Sequence, residues 1–210
     1  MCSSRCWPCW GLQAVGTIER LIFDRLYRAC GPWGLQAFLL TIDPMARFFL
    51  LFIVVLAVLF GIEMLNPVQV AVVHPWTNLL AHLSATVMTL FDADVISHGR
   101  VLQSKTTGFG VSIEAGCNGV EAAIILISGM LAFPSPWRLK LIGIGIGIVA
   151  VQAANLLRVI SLYYLGQWDM AVFEFAHLYL WQALIMLDVL VVWLLWIRVV
   201  ARQSGAQLAA

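Results

Sequence analysis

The fold class this sequence predicts is an all-α integral membrane protein: a polytopic helical bundle of about four spans. An interfacial or partly inserted helix and a small extramembrane hairpin or loop complete it. Three observations carry that prediction. The 210-residue chain is 62% hydrophobic and 11% charged, whereas a soluble domain carries about 25% charged residues. Its mean hydropathy is +0.93. Its apolar runs reach membrane length, and its lysines and arginines fall between them in an asymmetric pattern. A net charge of +1 gives no reason to expect a nucleic-acid partner.

The elements follow in chain order. Residues 1–44 form an N-terminal extension placed on the cytoplasmic side. Within it Glu19–Arg28 has the apolar and basic faces of an amphipathic surface helix. Cys2, Cys6 and Cys9 lie close together, but three cysteines with no nearby histidine make a poor zinc set, so no metal and no cofactor are expected. The first span is Met45–Asn66, built on the uncharged run Phe48–Ile62. A signal peptide is the competing reading; its apolar region would begin too deep, and no small-residue cleavage site follows. Trp76–Phe91 is interrupted by Asn78 and His82 and is short for a crossing. Val95–Ala115 holds two β-prone stretches, around Val101 and at Val111–Ile113, separated by the turn Lys105–Gly108.

Three further spans are expected at Cys117–Trp137, Leu139–Leu162 and His177–Ile197, with a Pro-Ser-Pro breaker at Pro134–Pro136. Gly143 and Gly147 form a small-xxx-small pair that lets helices approach closely. Asp188 falls in mid-span, where an ionisable group is costly; a protonated or paired structural role is expected. Residues 45–200 thus form the membrane domain and 201–210 a cytoplasmic tail.

Charge placement sets the orientation. With the N-terminus inside, Arg5, Arg20, Arg25, Arg28, Arg47, Arg138, Lys140, Arg198 and Arg202 are cytoplasmic, and Arg100 and Lys105 lie outside. Cys117 precedes Arg138 by 21 residues, Arg158 follows it by 20, and His177 precedes Arg198 by 21. Each interval is about 30 Å of helix, one hydrocarbon thickness. Cys117, Arg158 and His177 are therefore expected in one layer near the outer surface, on three neighbouring helices. Each residue alone has an ordinary explanation: a small buried hydrophobe, a snorkelling arginine, an interfacial histidine. A disulfide to Cys117 is disfavoured, because Cys2, Cys6, Cys9 and Cys30 belong to the opposite side.

The same residues carry a resemblance. Glu114–Ala122 (EAGCNGVEA), Asn155–Val159 (NLLRV) and His177, taken in order, resemble the exosortase/archaeosortase family. Phe133–Gly166 is similar to the exosortase H group in particular. The resemblance runs from about Met45 to Arg198 and leaves Met1–Thr41 outside. It implies a cysteine peptidase or transpeptidase with Cys117 as nucleophile and Arg158 and His177 as partners. It also implies substrates: exported proteins whose C-terminal sorting signal has a short motif, a hydrophobic helix and a basic tail. The membrane would be the bacterial cytoplasmic (inner) membrane, with the site on its outer, periplasmic side and lipid around the bundle. An amine or glycan acceptor is a conceivable second substrate.

The chemistry suits these residue types. A thiolate is the nucleophile, and a cation or a helix N-terminus favours it. Alternatively His177 takes the thiol proton and returns it to the leaving amine, while Arg158 stabilises the oxyanion. Gly116 and Gly119 would leave room for a substrate backbone. Asn155, one turn from Arg158, is a candidate to orient it. Glu121 shares the face of Cys117 and would pair with Arg158 or His177, or satisfy a helix end. Glu114 and Asn118 are candidates for the substrate mouth. Glu174 is either an orienting partner for His177 or a solvated loop residue, and Trp181 packs or lines a groove. The competing functions are a non-catalytic membrane transport or assembly protein and a membrane acyltransferase using the same cysteine.

Overall fold

The structure is a computed structural model, and it describes residues 43–209. The expected amphipathic stretch Glu19–Arg28 and Cys2, Cys6, Cys9 and Cys30 lie outside the described residues. From Phe48 onward the described chain forms one compact unit.

Helix α1 (Pro44–Glu63) forms from the uncharged run read as the first span. Its apolar side chains, Phe49, Ile53 and Val58 among them, are exposed on the protein surface. That is the pattern of a helix whose surroundings are hydrocarbon. A short helix α2 (Asn66–Val68) and a π-helical turn (Gln69–Val73) lead into α3 (His74–Met88). The sequence reading made this an interfacial or partly inserted helix. In the structure it buries Leu80, Ala81, Ala85 and Met88 against the small sheet and the α5 residues Val159 and Tyr163.

The expected hairpin is a three-stranded antiparallel sheet, β1 (Val95–His98), β2 (Val101–Ser104) and β3 (Gly110–Ser112), in the order β1-β2-β3. Val101 and Val111 lie in strands as read, and β1 is an addition. Gly99 (φ 58°) and Gly108 (φ 72°) take left-handed conformations in the two turns. Asp94 ties the sheet to its second turn. It accepts from the hydroxyl of Ser104, and from the amide (3.0 Å) and hydroxyl (2.9 Å) of Thr106.

Among the described residues, three helices are long and apolar enough to cross a membrane. The expected span Cys117–Trp137 contains the 13-residue helix α4 (Val120–Ala132), about 20 Å long. The shortening has two local causes. Gly119 is left-handed (φ 73°) and stops the helix from reaching back to Cys117. At the other end Phe133 is extended (φ −75°, ψ 133°), as a residue before proline prefers. Helix α5 (Trp137–Trp168) is 32 residues long and overruns its expected end at Leu162. Asp169 then caps α6 (Met170–Phe175), accepting from Ala171 N (2.7 Å) and Val172 N (3.3 Å). A π-helical turn (Ala176–Leu180) joins α6 to α7 (Trp181–Ala209).

Helices α4, α5 and α7 share the second core, with Leu126, Met130, Val151, Ile185, Val189 and Trp196 buried between them. Trp181, weighed as a groove residue, packs against this core. The glycine pair behaves as its spacing predicts. A β-carbon on Gly143 would come within 2.3 Å of Trp196, and one on Gly147 within 2.5 Å of Leu126. Asp188 lies half-buried on α7, and its Oδ2 is buried with no hydrogen-bond partner among the described residues.

Candidate active site

The residues around Cys117 are held in place by their main chain. Cys117 lies in the loop before α4, outside the apolar helices. Gly116 (φ 82°) and Gly119 (φ 73°) bracket it in conformations that suit glycine. The Cys117 carbonyl accepts from Asn155 Nδ2 at 3.1 Å, and the Gly116 carbonyl accepts from Arg158 Nη1 at 3.0 Å. Glu121 Oε1 accepts from the Gly116 amide at 2.6 Å. Asn118 is buried and accepts from the Val120 amide at 3.0 Å through its own side chain. Its Nδ2 reaches Thr77 Oγ1 at 3.4 Å, and its carbonyl accepts from Trp76 Nε1 at 3.3 Å. Side chains from α3, α4 and α5 thus grip the loop at Gly116, Cys117 and Asn118. Buried backbone carbonyls require such partners.

This geometry revises several expectations. Asn155 holds the cysteine carbonyl, not Arg158. Glu121 caps the loop backbone, the second of its two expected roles. Asn118 is a buried loop brace, away from the cavity mouth where it was expected. Glu114 does line the cavity, and it pairs with Arg100 at 3.1 Å. Gly119 packs against Gln152, whose Nε2 would lie 2.9 Å from an added β-carbon, so it leaves no space for a substrate; Gly116 faces open space. Glu174 is exposed, in keeping with a solvated residue. The residues sequence reasoning missed are Trp76 and Thr77 beneath the loop, and Phe173. The Phe173 ring stacks on His177 with centroids 5.6 Å apart and planes 2° from parallel.

The Cys117 sulfur is where the three distant residues meet. Arg158 Nη2 donates to Sγ at 3.4 Å. His177 Nδ1 lies 3.8 Å from Sγ and Nε2 lies 4.0 Å away. Arg158 is 4% exposed. The three residues thus come together at the level of atoms, Cys117 from a loop rather than from the helix end where it was expected. Burial pushes the Cys117 thiol up from its ordinary range; the Arg158 guanidinium pulls it back, and the carboxylates of Glu121 and Glu114 push it up again. His177 sits in the π-helical turn, a local widening often found at functional sites.

Sulfur, guanidinium and imidazole open onto one cavity of about 290 Å³. Its other walls are Phe109–Ala115 from the sheet side, Val159 and Leu162 from α5, and Met170 and Phe173 from α6. The arrangement is a half-buried sulfur with a fixed cation on one side and a titratable base on the other.

A family model described as transmembrane exosortase (Exosortase_EpsH) matches residues 6–196. The match begins near the start of the chain, so it takes in most of the Met1–Thr41 stretch that the sequence resemblance left out. No curated protein and no solved structure matches the chain. With nine-tenths of its length inside the match, the chain belongs to the transmembrane exosortase family.

Proposed function

We propose that this chain is a cysteine peptidase or transpeptidase that removes the C-terminal sorting signal of exported proteins. The family sorts exported proteins bearing such signals and is peptidase-like. The reaction and the residue roles are our reading. One observation carries it: the sulfur of Cys117 lies within 3.4 Å of the Arg158 guanidinium and 3.8 Å of the His177 imidazole, at the wall of one cavity.

Because burial holds the thiol protonated, a base is needed. His177 takes the proton as Cys117 attacks the scissile carbonyl, and the distance tightens when substrate is bound. Arg158 steadies first the thiolate and then the oxyanion. The tetrahedral intermediate expels the amine of the signal, which receives its proton from His177. The remaining thioester is then resolved by water or by an acceptor amine. Asn155, Asn118 and Glu121 position the cysteine loop, and Glu114 borders the substrate cavity.

The site faces the outer side of a bacterial cytoplasmic membrane, with the substrate's hydrophobic helix in the bilayer and its basic tail inside. Within the family, we read the chain as one of the exosortase H group, on the resemblance carried by Phe133–Gly166. The test is co-expression with an exported protein bearing such a tail. Wild type removes the tail; Cys117→Ala, present at the same membrane level, does not. Tail removal by Cys117→Ala at the wild-type rate refutes the assignment.

A further inference from the structure

The cavity has a feature that the three reactive side chains leave unused: one of its walls is a free sheet edge. Strand β3 pairs on one side with β2, and in the order β1-β2-β3 no strand among the described residues pairs with its other side. The register settles which backbone groups are committed. Val111 lies opposite Leu102. Ser104 N donates to Phe109 O at 2.9 Å, and Ile113 N donates to Arg100 O at 3.0 Å. Residues 109, 111 and 113 therefore turn their amides and carbonyls toward β2. In an antiparallel pair the alternate residues turn theirs the other way. Gly110 and Ser112 thus direct two N–H and two C=O groups to the open edge. Both residues are exposed and both line the cavity that holds the Cys117 sulfur.

An unpaired edge is ordinarily a hazard, blunted by proline, lysine or a covering element. This one has none of these among its own residues, which read Gly-Val-Ser. Gly110 offers no side chain to obstruct an incoming strand. An extended peptide laid there would run beside the sulfur, and extended backbone is the form in which a scissile carbonyl stands clear of its own side chains.

We propose that the sorting motif docks by β-augmentation, adding as a fourth strand to the free edge of β3 through the backbone groups of Gly110 and Ser112. This rests on the peptidase reading above. The occupant is the segment just before the substrate's hydrophobic helix, since that segment must reach Cys117. Main-chain bonds supply the hold. The cavity walls read alternate side chains, because successive residues of a strand face opposite ways.

The test compares Ser112→Pro with Ser112→Ala in the co-expression assay. Both variants lose the hydroxyl that donates to Glu114 Oε1 at 2.7 Å. The proline variant alone loses the outward N–H and places a ring on the edge, and it breaks no bond to β2. Ser112→Pro is expected to process substrate about tenfold or more slowly than Ser112→Ala, with the Cys117 alkylation rate equal in the two. Equal processing by both variants overturns the proposal, and if Cys117→Ala remains inactive the peptidase reading survives that failure.

Should Ser112→Pro not accumulate in the membrane, disulfide trapping decides. Ser112→Cys is placed in a Cys117→Ala background and paired with single cysteines along the substrate motif. Cross-links that peak at one position and recur two residues away support an added strand. No cross-link, or a helical three-to-four-residue spacing, refutes it.

Discussion

Arg158→Ala should cut the thiolate population of Cys117 and leave the loop around it under-bonded. In the folded protein Arg158 Nη2 donates to Sγ at 3.4 Å and Nη1 donates to the Gly116 carbonyl at 3.0 Å. A bare Coulomb estimate at that separation, with an effective dielectric of 20, gives about 5 kcal/mol. The sulfur is half-buried, so solvent screens much of that. A charge-assisted hydrogen bond is worth about 1.5–3 kcal/mol, about a factor of 10 to 150 in an equilibrium. With burial still pushing the thiol up and the guanidinium gone, thiolate near neutral pH should fall about 10- to 150-fold. The assay is the pH dependence of alkylation by iodoacetamide in detergent-solubilised protein. Cys2, Cys6, Cys9 and Cys30 are replaced by serine so that Cys117 alone reports. The Arg158→Ala profile should move to higher pH, while Arg158→Lys, which keeps the charge but not the fork to Gly116, should fall between. Superimposed profiles for wild type and Arg158→Ala would refute the electrostatic role.

The other predictions are more compact. Gly119→Ala forces a left-handed φ of 73° on alanine and sets its β-carbon 2.9 Å from Gln152 Nε2; the conformational part costs about 1–2 kcal/mol. Adding Gln152→Ala should recover only the steric part in a thermal-shift assay; full recovery contradicts the backbone argument. His177→Ala should slow tail removal about 10²- to 10⁴-fold without lowering membrane levels. The carboxyl of Asp94 is held below the usual range, first by the Ser104 hydroxyl and then by Thr106. A depressed folded pKa gives stability that is present above the ordinary aspartate value and lost as pH falls through the folded one. Protection of the β2–β3 turn in hydrogen exchange should therefore weaken below about pH 4, and Asp94→Asn should remove that acid dependence.

Much of this architecture was legible because a bilayer makes simple demands. Charges separate the apolar runs, so counting residues between Arg138, Arg158 and Arg198 singled out Cys117 and His177 as partners of Arg158, and the three side chains do meet. The small-xxx-small spacing of Gly143 and Gly147 likewise marked a face open to close approach, which α7 and α4 take up in the structure. What the spacing hid was local. Nothing in the apolar content of Cys117–Trp137 reveals that Gly119 turns left-handed and cuts the helix to 13 residues. The roles of Asn155, Asn118 and Glu121 depend on which carbonyl or amide each meets, and helical periodicity specifies a face, not a partner. Trp76 opens the stretch read as an interfacial or partly inserted helix; its bond to the Asn118 carbonyl arises only when α3 folds beneath the loop. Strand β1, Val-Ile-Ser-His, was missed because it forms only by pairing with β2, a partner that its own residues do not specify.

The central claim is that Cys117 takes the substrate's acyl group. Mass spectrometry of enzyme quenched in acid during turnover tests it most directly. The account predicts that a peptide bearing Cys117 carries the truncated substrate through a linkage cleaved by neutral hydroxylamine, and that the adduct disappears in Cys117→Ala. Processed substrate accumulating with no such adduct in rapidly quenched samples, or with an adduct on another residue, would contradict it.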